Sequence, residues 1–241
     1  MSEAGTGDGL PPKRFLIDEL WLRRLVGARI LAPAVRFVQR TSKVQYEPAD
    51  HLTASAALEP AIYVTWHANL LAQVMMVHRT DHLVNMTAPH PDGRMAGALS
   101  EALGATTIVA AGISERQKTG TGSIAGFRAM LRALKSGKSL MMAGEVPPIP
   151  GRNVAPGIVA VARLSGRPII PVAAASSRRW VVEKLWDKMQ VNLPFSSVHV
   201  VASAPIWVGK DDDDADVMAR IKSELDRIYA RALEKADADR R

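Results

Sequence analysis

The chain has 241 residues, with 31 Lys and Arg against 24 Asp and Glu for a formal net charge of +7, and no cysteine. That length suits one large domain, or a domain with a short appendage, and argues against two independent enzyme domains. The missing cysteines exclude a disulfide scaffold, a Cys-ligated zinc or iron–sulfur site and a thiol nucleophile, and an apolar fraction of 47% excludes a predominantly disordered chain.

The positive charge is unevenly placed. From Leu20 to Gln45 the basic residues Arg23, Arg24, Arg29, Arg36, Arg40 and Lys43 stand without an acidic one, whereas beyond Gly209 acidic residues outnumber basic ones. The excess therefore points to an acidic partner on one face.

Residues 1–12, Gly-rich and polar, read as a disordered leader. Residues 13–45 read as a basic amphipathic helix. Val26, Ile30, Phe37 and Val38 fall on one side at helical spacing, with Arg29, Arg36, Arg40 and Lys43 beside them. Pro33 is expected to kink or divide it. The longest uncharged run, Ile30 to Val35, is too short to span a bilayer, and arginines interrupt every candidate signal-peptide core. Two readings stand: an interfacial helix whose arginines meet lipid phosphates, or a helix packed on its own domain with a solvated basic edge. Nucleic acid is not an expected partner, because aromatic residues make up only 5% of the chain and stacking platforms need them.

Residues 46–241 read as one α/β domain. Ala61 to Trp66 predicts a strand, Ala68 to Val77 a helix, His82 to Met86 a strand and Gly93 to Leu103 a helix. The next pairs are Thr106 to Ala111 with Ser123 to Lys135, and Ser139 to Ala143 with Gly157 to Leu164, followed by strands at Pro168 to Ala175 and Val198 to Ser203 and a closing helix from about Asp214 to Glu234. Alternating short apolar runs and helices predict a largely parallel sheet flanked by helices. Ligands of such sheets sit beyond the carboxyl ends of the strands, so the loops there are the candidate site.

Trp66-His67 follows the first core strand directly, where an imidazole could deprotonate a bound hydroxyl or, alternatively, serve as a structural cap. In the second loop His90 and Asp92 flank a proline. Asp92 either caps the next helix or, with His90, orients His67 or holds an acceptor. These dispersed residues make a poor metal site, and none is expected. The third loop, Gly112-Ile113-Ser114-Glu115-Arg116, misses the hydrolase GxSxG elbow because Arg116 stands at the second glycine. Gly120, Gly122 and Gly126 lie too far past their strand for a dinucleotide turn, and Gly137-Lys138-Ser139 lacks the first glycine of a P-loop. What remains around Ser114 and Arg116 suits a phosphate or an acidic carrier. The fourth loop runs from Gly144-Glu145 through three prolines to Arg152. There Glu145 could fix a hydroxyl or cation and Arg152 a phosphate, unless the segment is an ordinary surface turn. Asp211 to Asp214 reads as the start of the last helix.

Trp66-His67, Thr87…His90-x-Asp92-Gly93, Gly112-Ile113-Ser114, Pro156-Gly157 and Arg163 to Val172 occur in an order that resembles the lysophospholipid acyltransferase superfamily. The likeness is greatest to a bacterial branch that includes enzymes adding a secondary acyl chain to lipid A. The resemblance covers about Ala61 to Ile206. It implies a glycerolipid-acyltransferase-like fold, His67 as the general base, Glu145 in the acceptor-binding motif, and Pro171 within the fourth motif beside the active site. Trp66, His90, Gly93, Gly112, Ser114, Arg116 and Arg152 become candidates for substrate binding.

Two departures accompany the likeness. Ala72 stands where the superfamily usually has an aspartate five positions after the histidine, so the orienting carboxylate is expected from elsewhere, Asp92 being the candidate. Glu145-Val146-Pro147-Pro148-Ile149-Pro150 stands where the branch commonly has Asp-Gly-Pro-Arg-Gly-Pro. The expectation is acyl transfer from acyl-CoA or acyl carrier protein to a hydroxyl of a lysophospholipid or lipid A-type acceptor, without a cofactor. The protein would act on anionic lipid at the cytoplasmic face of the inner membrane. A catalytically degenerate lipid-binding protein is the alternative. The sequence does not specify an oligomeric state.

Overall fold

The computed structural model describes residues 22–87, 91–109, 121–145 and 152–240, with backbone alone for 121–123. Nine strands occur among them: β1 (Lys43–Glu47), β2 (Ile62–Thr65), β3 (Leu83–Thr87), β4 (Thr106–Val109), β5 (Ser139–Ala143), β6 (Ile169–Ser176), β7 (Arg179–Val181), β8 (Gln190–Asn192) and β9 (Ser197–Ala202). The α-helices are α1 (Ala32–Thr41), α2 (His51–Ala56), α3 (Gln73–Met76), α4 (Pro91–Ala102), α5 (Thr121–Lys135), α6 (Pro156–Ser165) and α7 (Asp214–Ala238).

Seven strands form one sheet in the order β1-β9-β6-β2-β5-β3-β4, while β7 and β8 pair as a separate antiparallel hairpin. Every neighbouring pair in the large sheet is parallel except β6 with β9. The expected α/β fold with a largely parallel sheet is therefore what the chain adopts.

Side chains that alternate along β2 explain the layering. Ile62, Val64 and Trp66 face one core with Leu134 of α5, Ile158 of α6 and Leu225 of α7. Ala61 and Tyr63 face the other, with Ala32 of α1, Met76 of α3 and Leu99 of α4. A strand buried on both faces needs a continuous apolar run, and β6 is buried along its whole length. Helix α7 follows from its sequence in the same way. Val217, Ile221, Leu225, Ile228, Ala232 and Ala236 form its buried stripe, and the Asp213 carboxylate caps it by accepting from the amides of Ala215 (2.8 Å) and Asp216 (3.1 Å).

Three departures from the sequence reading concern the termini of elements. The segment after Trp66 is a 3-10 helix, His67–Ala72, that passes into the short α3. The N-terminal helical segment ends at Thr41, so Lys43 to Gln45 belong to edge strand β1, which pairs in parallel with β9. Its apolar stripe is also divided. Val38 is buried, while Ile30 and Phe37 are 60% and 52% exposed. A π-helical turn, Val26–Leu31, precedes α1 and Pro33 lies in the first turn of α1, so the helix changes type next to the residue that withholds an amide. Gly27 lets this segment lie against α4, since a Cβ there would stand 2.5 Å from the Met95 carbonyl oxygen. The helix thus packs on its own domain through one side and presents Ile30, Phe37, Arg29, Arg36 and Arg40 on the other. Among the described residues no helix is long and apolar enough to cross a membrane.

Candidate active site

Strand β2 lies near the middle of the sheet and ends at Thr65. Trp66, fully buried, opens the 3-10 helix and delivers His67 just beyond the carboxyl end of the strand. The turn is shaped by close packing. A Cβ on Gly144 would come within 2.9 Å of the Trp66 ring, so glycine at the end of the neighbouring β5 is what admits the indole.

His67 Nδ1 lies 2.6 Å from Oδ2 of Asp187, whose side chain is only 1% exposed. A carboxylate only accepts, so Nδ1 carries the hydrogen, and in the neutral ring this leaves Nε2 with its lone pair. Asp187 is itself held, its Oδ1 accepting the Met189 amide at 3.1 Å. It sits in the turn of the β7–β8 hairpin. The Trp186 ring of the same turn covers the imidazole, with centroids 5.1 Å apart.

This arrangement corrects one expectation. The carboxylate that orients His67 is Asp187, not Asp92. Asp92 lies in the first turn of α4, two-thirds exposed, and bonds the Arg23 guanidinium, tying the N-terminal segment to α4. Ala72 is buried in the apolar core and offers no carboxylate. Nothing periodic announced Asp187. The available signal was a lone acid among the apolar and basic residues of Lys184-Leu185-Trp186-Asp187-Lys188-Met189.

Glu145 follows β5, the strand beside β2, and is buried beside His67. Its Oε2 has no hydrogen-bond partner among the described residues. Burial pushes its carboxyl above the usual carboxylate range, opposed by the amides of Glu145 and His67, the His67 ring and the Arg152 guanidinium. Arg152 stands over the rings of Tyr229 (4.7 Å) and Trp66 (5.8 Å) and pairs with Asp226 at 3.3 Å. Burial raises the Tyr229 hydroxyl, which accepts from the Gln190 amide on β8. The structure therefore brings Trp66, His67, Glu145 and Arg152 together and adds Asp187, Trp186 and Tyr229.

Two of the remaining candidates lie elsewhere in the fold. Gly93 is buried in the first turn of α4. Pro171 is buried in β6, paired in register with Val64, within the sheet and before its mouth. His90, Gly112, Ser114 and Arg116 lie outside the described residues.

Chemically, an imidazole with one nitrogen anchored on a buried carboxylate and the other free can take a proton from a hydroxyl. No family model matches the chain. It is 25% identical over 201 residues to the uncharacterized protein RP090 of Rickettsia prowazekii (strain Madrid E), covering 83% of this chain and 88% of that protein. Among solved structures it is similar to the 1-acyl-sn-glycerophosphate acyltransferase PlsC from Thermotoga maritima, with 14% identity, a TM-score of 0.49, and coverage of 88% of this chain and 86% of that one. A likeness of that degree concerns the course of the chain and carries no residue's role across.

Proposed function

We propose that this protein is a His-assisted acyltransferase that moves a fatty acyl group from a thioester, acyl-CoA or acyl carrier protein, to a hydroxyl of a lysophospholipid or lipid A-type acceptor. The observation that carries the reading is the His67–Asp187 pair at the end of β2. The order of motifs from Trp66 to Val172 supports it.

In the reaction, His67 Nε2 takes the acceptor proton as the hydroxyl oxygen attacks the thioester carbonyl. The tetrahedral intermediate collapses, the carbon–sulfur bond breaks, and the departing thiolate recovers the proton from His67. Asp187 holds the tautomer that leaves Nε2 free and stabilises the imidazolium while it carries the proton. Glu145 orients the acceptor hydroxyl. Arg152 holds an acceptor phosphate. No cofactor beyond the donor takes part. His90, Gly93, Gly112, Ser114, Arg116 and Pro171 remain candidates for shaping the donor and acceptor subsites.

The basic face of the N-terminal segment supports peripheral docking on anionic lipid, at the cytoplasmic face of the inner membrane. The full chain, incubated with acyl-CoA or acyl carrier protein and a membrane lipid extract, should release free thiol and yield an acylated lipid by mass spectrometry. His67→Ala should lose about 10²–10⁴ in rate with its fold intact. Equal rates in that variant overturn the assignment, and lipid binding without thiol release favours the degenerate alternative.

A further inference from the structure

Phe195 is the most conspicuous residue left unused by the site. It has φ +56°, in the left-handed region that bulky L-residues avoid, yet the residue is 65% exposed and gains no interior packing. The backbone around it is tightly held. The Phe195 amide donates to Thr41 Oγ1 (3.3 Å), the Ser42 and Ser196 hydroxyls meet at 3.1 Å, the Ser196 carbonyl accepts the Lys43 amide (2.9 Å), and Arg178 donates to the Pro194 carbonyl (3.2 Å). The ring meets Phe37 of α1 edge to face, with centroids 5.8 Å apart. Two elements thus converge to display a pair of aromatic rings to solvent.

Cations surround that pair. Shallow depressions on either side are lined by Arg36 and Arg40 and by Lys43 and Arg178. Among the described residues, none of these four pairs with a carboxylate, and Asp239 on the same rim is taken up by His199 at 2.9 Å. Apolar rings ringed by uncompensated cations fit a surface with phosphates outside and hydrocarbon beneath.

We infer that Phe195 and the β8–β9 turn form a second lipid-docking element, which seats with Phe37 of α1 on an anionic bilayer. The inference rests on the preceding reading only in placing the protein at a lipid surface. It adds a site that the N-terminal segment alone does not supply. The strained backbone holds the ring outward before lipid arrives, so little conformational entropy is lost on docking.

The test compares the full chain with Phe195→Asn and Phe37→Ser in co-sedimentation with phosphatidylcholine vesicles, with and without phosphatidylglycerol. Asn tolerates the left-handed region, so Phe195→Asn should keep or raise the melting temperature. Both variants should lose on the order of tenfold in partition to the anionic vesicles, the worth of partly burying one aromatic ring. Unchanged partition of both variants overturns the inference and leaves acyl transfer intact. A native chain that binds no vesicle overturns it together with the membrane reading. A native dimer that both variants dissociate overturns it in favour of a second copy of the chain as the occupant. Thiol release is not a readout, so failure of the His67 assignment leaves this result standing.

Discussion

His67 and Asp187, separated by 120 positions in the chain, meet at 2.6 Å, and the carboxylate is almost wholly buried while the imidazole keeps a quarter of its side chain exposed. The buried partner fixes the ring, and the other edge of the ring stays open. The hairpin of β7 and β8 therefore contributes to the candidate site, although it stands apart from the main sheet.

Asp187→Asn tests that relationship. The amide can donate as well as accept, so the tautomer with the free Nε2 loses its preference. Thiol release should fall by about 10²–10⁴, the range of a compromised general base, with substrate KM little changed. The rate should remain low when pH is raised, because the defect is one of tautomer and orientation. Native activity in Asp187→Asn would leave Asp187 with a structural role only.

Glu145 gives stability a pH dependence of known sign. Its folded-state carboxyl is raised above the ordinary value of 4.5, chiefly by burial. The folded protein then holds this proton more tightly than the unfolded chain. The contribution is fully present below 4.5 and is lost as pH rises through the folded value. Urea unfolding across this window should show the native chain losing stability relative to Glu145→Gln, and the difference should level off at higher pH. A difference that grows toward acid would reverse the assigned sign.

Gly144→Ala should disturb the site from below. Its methyl would stand 2.9 Å from the Trp66 ring and 3.2 Å from Leu225 Cδ1, both in the packed core. The expected cost is about 1–3 kcal/mol, seen as a lower denaturant midpoint. Thiol release should fall as well, because Trp66 directly precedes His67.

Gly27→Ala addresses the N-terminal segment. The added carbon meets the Met95 carbonyl oxygen at 2.5 Å, a backbone atom that cannot swing aside. The segment should lift from α4, with faster proteolytic cleavage within 22–41 and little change in the cleavage of the sheet. Unchanged protection would show that Arg23–Asp92 and the buried Ala32 hold it without Gly27.

Much of the fold was legible because burial in this sheet is written locally. The runs at Ile62–Thr65, Ser139–Ala143 and Ile169–Ser176 are continuous and apolar, as strands covered on both faces require. By contrast β7 and β8 are three residues each, with no run to mark them, and β1, although Lys43-Val44-Gln45-Tyr46-Glu47 alternates, begins inside the basic series that reads as helix. The division of the N-terminal stripe was illegible for another reason. Helical spacing groups Phe37 with Val38, and only the packing of α1 on its own domain turns Val38 inward and Phe37 outward.

The sequence by itself determined the α/β class, the stop of β2 at Trp66-His67 and the grouping of Glu145 and Arg152 in one loop, because periodicity, glycine and proline act over a few residues. Tertiary structure alone decided that Asp187 is the carboxylate that meets His67 and that Phe195 stands beside Phe37. Those pairings span 120 and 158 positions of the 241-residue chain. They depend on where the sheet's edge strands and the hairpin close in space, which no local pattern encodes.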